Sequence, residues 1–179
     1  MKTIYTILTM LSVMFLSINC DNDNSSEEEI ASTDARGVIT LSGEDTAEIG
    51  TQLEVGDINY GRKDLTGLDE TIIIVPKGAK ISEDAPDLPL NDPDYVESII
   101  SFEDIENTFV IVLGQELISM VIVVNGIERR YICDSLFETS IACGSIILDA
   151  EAKKSVLSNV TVKNVETGTI LTMNGTVNW

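Results

Sequence analysis

From Arg36 onward the apolar residues fall in short runs: GVITL, ETIIIV, SIISF, TFVIVL, ELISMVIVV, IERRYI, GSIILD, SNVTVKNV, GTILTM and TVNW. The runs are rich in Ile, Val and Thr and are bounded by Gly, Asn or Asp, which is strand chemistry with turn punctuation. Only DAEAKKSVL has the make-up of a helical turn or two.

The middle of the chain predicts a register. Asn125-Gly126 between two apolar runs is a strong hairpin signal, because both residues of a type I′ turn need positive φ. A two-residue loop there pairs Val124 with Ile127, Ile122 with Arg129, Met120 with Tyr131 and Ile118 with Cys133. Upstream, Gly114-Gln115 fits a Gly-first turn that pairs Leu113 with Glu116, Ile111 with Ile118 and Phe109 with Met120. Both turns place the same residues on one face: Phe109, Ile111, Leu113, Ile118, Met120, Ile122, Val124, Ile127, Tyr131 and Cys133. Glu116 and Arg129 interrupt it, and Arg129 is expected to reach a carboxylate at the sheet edge. A slip of one residue would move the whole set to the other side. The reverse face is apolar on two strands (Val110, Val112, Leu117, Val121, Val123) and charged on the third (Glu128, Arg130, Asp134). The first two are therefore expected to be covered and the third to face solvent.

At the C-terminus, Thr167-Gly168 turns the chain and Asn174-Gly175 predicts a last hairpin joining GTILTM to TVNW, with Ile170, Val177 and Trp179 on one face. About ten short antiparallel strands at this spacing imply an all-β domain. The expectation is a two-sheet sandwich, immunoglobulin-like or related, with a small barrel as the alternative.

The N-terminus has a different pattern. Lys2 precedes Ile4–Ile18, a stretch without an acid. As a helix these residues would reach about 22 Å, short of the roughly 30 Å of a bilayer core, so they read as an export signal. The stretch FLSINC, ending at Cys20, resembles the lipobox of bacterial lipoproteins. In that family the cysteine is acylated and becomes the mature N-terminus. DNDNSSEEE, which follows, resembles the acidic export tag of surface lipoproteins in some Gram-negative bacteria. The resemblance implies residues 1–19 as signal peptide, lipidation at Cys20, and a membrane partner reached through the lipid. It places the protein at the outer membrane, facing outward, with a secreted or periplasmic protein as the alternative. Asp21, Asp23, Glu27, Glu28 and Glu29 repel one another and stay solvated, which suits residues 20–35 as a tether to a single domain, 36–179. With Cys20 lipidated, Cys133 and Cys143 remain as an even pair in an oxidising compartment. They are either bridged, closing a loop of about eleven residues, or two buried thiols.

Charge narrows the function. The chain carries −19, and since Lys2 is the one charged side chain before Cys20, the remainder carries −20. Such a field repels phosphates, so nucleic-acid partners are excluded. There is no histidine, which removes the usual general base and zinc ligand and leaves no recognisable catalytic motif. The one long irregular stretch is PKGAKISEDAPDLPLNDPDYVES, interrupted by Pro86, Pro89 and Pro93. Its carboxylates Asp84, Asp87, Asp92 and Asp94 are candidate Ca²⁺ ligands, but they match no known ligand spacing, and a solvated acidic loop is the preferred reading. Tyr95 is its candidate exposed ligand contact. No other cofactor is implied. The expectation is a non-enzymatic binding or structural domain for an extracellular protein or glycan. The alternative is a glycan-binding or glycan-hydrolysing module using residues 77–96. Oligomeric state is left open.

Overall fold

The computed structural model describes residues 36–84, 88–89, 95–134 and 141–179. Cys20, the signal, the tether, Asp87, Asp92 and Asp94 lie outside the described residues. Thr33–Trp179 form one compact unit.

The unit is all-β, and its main sheet closes on itself. Eight strands form a barrel in the order β11 (Ile170–Asn178), β1 (Gly37–Gly43), β2 (Gln52–Tyr60), β3 (Ile72–Pro76), β6 (Thr108–Leu113), β7 (Leu117–Val124), β8 (Ile127–Asp134) and β10 (Lys154–Asn164). The ring closes because β10 pairs with β11 over most of its length, and all its neighbours are antiparallel. A ninth strand, β9 (Ser145–Asp149), lies against β10 outside the ring. Strands β4 (Lys80–Ile81) and β5 (Ile100–Ser101) make a small second sheet.

The expected sandwich is thus corrected to the barrel alternative. Alternation of apolar and polar residues serves either architecture. What decides is that the C-terminal strand joins both β1 and β10, leaving no pair of opposed sheets. The interior is filled by side chains rather than open, as an eight-stranded ring allows. Inward residues such as Ile39, Val55, Ile74, Ile111, Ile118, Met120, Val162, Leu171 and Met173 are fully or almost fully buried.

The predicted Asn174-Gly175 hairpin does not form: β11 runs straight through it. Gly175 pairs with Ile39 on one side and Leu157 on the other, and a Cβ there would come within 2.5 Å of the Val38 carbonyl oxygen. Glycine serves the close approach of the β1 backbone here, not a turn. Opposite it, β10 inserts one extra residue between Leu157 and Val160, with Asn159 at φ 49° and its N–H donated to Asn174 Oδ1 at 2.8 Å. This bulge bends the long strand around the ring. Ile170 consequently points outward, away from Val177 and the partly buried Trp179.

The Asn125-Gly126 hairpin has the predicted register throughout, and both residues have positive φ. The β6–β7 hairpin slips by two residues, pairing Leu113 with Ile118 and Phe109 with Ile122. Its turn takes four residues, closed by Gly114 N–H to the Leu117 carbonyl at 2.9 Å. An even slip preserves the faces, so the predicted core face is buried apart from its distal end, where Val124 is half-buried and Ile127 is 58% exposed. Strand β2 was not among the predicted runs. DAEAKKSVL forms a turn followed by the start of β10, not a helix, and SIISF contributes only the two-residue β5. Short helical turns occur instead at α1 (Thr46–Ile49), α2 (Lys63–Thr66) and α3 (Tyr95–Ile99).

A second core covers the outside of β3. Ile73 and Val75 pack with Ala79, Ile81, Tyr95, Ile99 and Ile100 from the excursion between β3 and β6. This explains why β3 and β6 are apolar on both sides. Cys133 and Cys143 form a disulfide, with Cα atoms 5.0 Å apart, that ties β8 to the segment entering β9.

Candidate functional site

Strand β3 ends for a local reason. Pro76 has no N–H to donate, and Gly78, at φ 89°, turns the chain so that Ala79 N–H reaches the Pro76 carbonyl. The β3–β6 ladder therefore spans only Ile72–Ile74 against Ile111–Leu113, and Thr108–Val110 of β6 extend beyond it. Where the two strands part, an open groove of about 400 Å³ forms between β2, the end of β3, β6 and β7. Ile49, Leu53, Phe109 and Ile122 form its apolar floor, and Gln52, Glu54, Lys77 and Asn107 are among the residues of its rim. Thr108 Oγ1 in the groove wall is shielded from solvent and has no hydrogen-bond partner among the described residues. The groove lies at the barrel end that carries α1, the Asn125-Gly126 turn and the β10–β11 turn. Gly37, the first residue of β1, pairs with Val55 of β2, next to the groove-lining Glu54.

Beside the groove, α1 folds over the same barrel end and is fastened by a polar cluster. Asp45 Oδ2 accepts hydrogen bonds from Thr169 Oγ1 (2.7 Å), Tyr131 OH (2.8 Å) and Asn164 Nδ2 (3.2 Å). Arg129 forms an ion pair with Glu48 of α1, as its place on the sheet predicted, and Arg130 pairs with Glu128 at 3.2 Å on the outer face. Burial alone would raise the Asp45 pKa. The three hydrogen bonds and the charge of Arg129 outweigh it and hold the carboxyl below its ordinary value. Tyr131, fully buried, is pushed up to about 12, first by desolvation and then by its bond to Asp45. With the phenol held protonated and one carboxylate oxygen taking three donors, the cluster clasps the start of α1 to β8, β10 and the β10–β11 turn.

The acidic excursion is stapled to the barrel at its described ends. Asp57 Oδ2 accepts the Ile81 N–H at 2.9 Å. Arg62, itself buried, donates to both oxygens of Asp64 and to the Ser82 carbonyl. Tyr95 was expected to be exposed; it is only 5% exposed and donates its hydroxyl to Asp64 at 3.2 Å. It packs in the second core because Ile73, Ile81, Ile99 and Ile100 offer an apolar seat there, so the expected exposure of its ring is corrected. Asp84 is exposed, and among the described residues no three His, Cys, Asp or Glu side chains gather closely enough to hold a metal ion.

No family model matches this chain, and no curated protein or solved structure matches it either. Its site is therefore read from its own geometry. Sequence reasoning missed the groove because its defining feature is a place where two distant strands fail to pair. The signal that could have found it is Pro76-Lys77-Gly78, which ends a strand whose neighbour continues.

Proposed function

We propose that this protein is a lipid-anchored surface protein whose barrel is a non-enzymatic binding domain, with the groove between β3 and β6 as its ligand site. The observation that carries the reading is the groove itself: an apolar floor with a polar rim, in the size range of small-ligand sites. The orphan Thr108 hydroxyl supports it, since a buried polar group without a partner is a cost that a ligand or a small rim movement relieves. The lipobox-like junction at Cys20 and the acidic run after it support anchoring at the outer membrane through acyl chains. A non-enzymatic role is supported by the absence of histidine from the sequence.

Two experiments test the two halves. Palmitate labelling and membrane fractionation of wild type and Cys20→Ala are expected to show label and membrane partition only with Cys20 present; equal partition removes the anchor. Titration of Thr33–Trp179 with anilinonaphthalene sulfonate is expected to show saturable binding, weakened at least tenfold by Val124→Glu at the rim. Binding unaffected by that substitution, or none at all, removes the groove.

A further inference from the structure

The outward positions of β1, β11, β10 and β9 make a wall unlike the rest of this acidic molecule. They are mostly Thr, Val, Ile, Ser and Asn, with a single carboxylate, Asp149, placed opposite Lys154. The ladders arrange them in rows across the strands. Val38, Thr176, Val156 and Ile147 lie side by side in one row, with Ile147 57% exposed. Ile170, Lys163 and Ile132 lie in another near the far end, with Ile170 and Ile132 exposed. Between them run hydroxyl and amide rows, Thr40 beside Asn174 and Ser42 beside Thr172 and Thr161.

We propose that this wall is a self-association surface, and that two copies of the chain dock through it face to face. The argument is charge and symmetry. Two copies of residues 20–179, carrying −20 each, repel along most approaches, but the wall itself presents one carboxylate, Asp149, with Glu54 of β2 at its edge beside Val38. A two-fold axis in the plane of the wall and across the strands lays the Val38–Ile147 row on the Ile170–Lys163–Ile132 row, keeping the two lysines apart, and a hydroxyl row on a hydroxyl row. An isologous interface needs that property. A carbohydrate is the less favoured occupant, because no aromatic side chain stands among these rows to stack on a sugar ring.

Size sets the strength. The two apolar rows are six residues apart on β11, about 20 Å, and four strands span about 15 Å between outer axes. With side-chain margins the patch is roughly 400 Å² per copy, or about 800 Å² in total, below the range of permanent interfaces. The dimer is therefore weak in dilute solution and favoured by confinement on a membrane, where effective concentration is high.

Sedimentation of Thr33–Trp179 from about 10 µM to 1 mM tests it. The expected result is a reversible monomer–dimer equilibrium that tightens as salt screens the repulsion. Val156→Glu is expected to weaken it at least tenfold, and Leu68→Glu, an exposed apolar site on the β2–β3 connection, to leave it unchanged. Ile147→Asp, at a still more exposed position, serves if the first variant fails to fold. Wild type that is monomeric throughout overturns the proposal, as does a dimer indifferent to both wall variants. Monomeric protein retained on an insoluble polysaccharide overturns it in favour of a carbohydrate.

Discussion

Asp45→Asn tests the clasp that holds α1 over the groove end of the barrel. The carboxylate accepts three hydrogen bonds on one oxygen, from the Tyr131, Thr169 and Asn164 side chains. Hydrogen bonds to a charged group contribute about 1.5–3 kcal/mol each, and neutral ones about 0.5–1.5. Losing only the charge from three such bonds therefore costs roughly 3 kcal/mol in the dry limit. Asp45 is partly exposed, which reduces the expectation to about 2 kcal/mol. Asp45→Ala should cost more, about 3–4 kcal/mol, because the Tyr131 hydroxyl and the Asn164 amide are then buried without an acceptor. The assay is urea unfolding of Thr33–Trp179 followed by Trp179, the only tryptophan in the chain. The pH dependence carries the sharper test. The folded Asp45 carboxyl lies below its ordinary value, so its contribution is fully present above the unfolded pKa of about 4 and is lost as pH falls through the folded value. The gap between wild type and Asp45→Asn should thus be constant from pH 7 to about pH 5 and shrink below pH 4. A gap under about 0.5 kcal/mol at pH 7, or one of the same size at pH 7 and pH 3, refutes the clasp.

Three further outcomes follow from particular contacts. Replacing Cys133 and Cys143 together by Ala should lower stability by about 3 kcal/mol, the loop-closure value for eleven residues, and the denatured, unreduced domain should show no free thiol. Gly126→Ala and Gly175→Ala should differ in kind when measured by thermal unfolding. At Gly126 the added methyl meets nothing within 4 Å and only the left-handed backbone costs, about 1–2 kcal/mol, whereas at Gly175 it strikes the Val38 carbonyl and should cost clearly more. Thr108→Val removes the unpartnered hydroxyl and should raise the unfolding free energy measured in urea by up to about 1 kcal/mol; a loss of that size means the hydroxyl has a partner.

Local sequence chemistry sufficed where a signal and its consequence are close together. Asn125-Gly126 specified its turn and, through it, all eight pairs of β7 with β8. The inward set from Phe109 to Cys133 was legible because period-two alternation survives even a register slip of two. The sequence left Cys133 and Cys143 either bridged or as two buried thiols, and the structure shows the bridge.

Asn174-Gly175 has the same two letters as the working turn and does the opposite. Nothing within β11 tells the glycine that the backbone of β1 will approach it so closely. Tyr95 looked free among acids and prolines, yet a seat on the far side of β3 claimed it. Alternation determined that this chain is β and which side of each strand is apolar, because those are one-dimensional properties. Whether the sheet closes, where two strands part to open a groove, and which outward rows become neighbours depend on contacts between residues more than 130 positions apart, as with Thr40 and Asn174, 134 apart, and only the tertiary structure decided them.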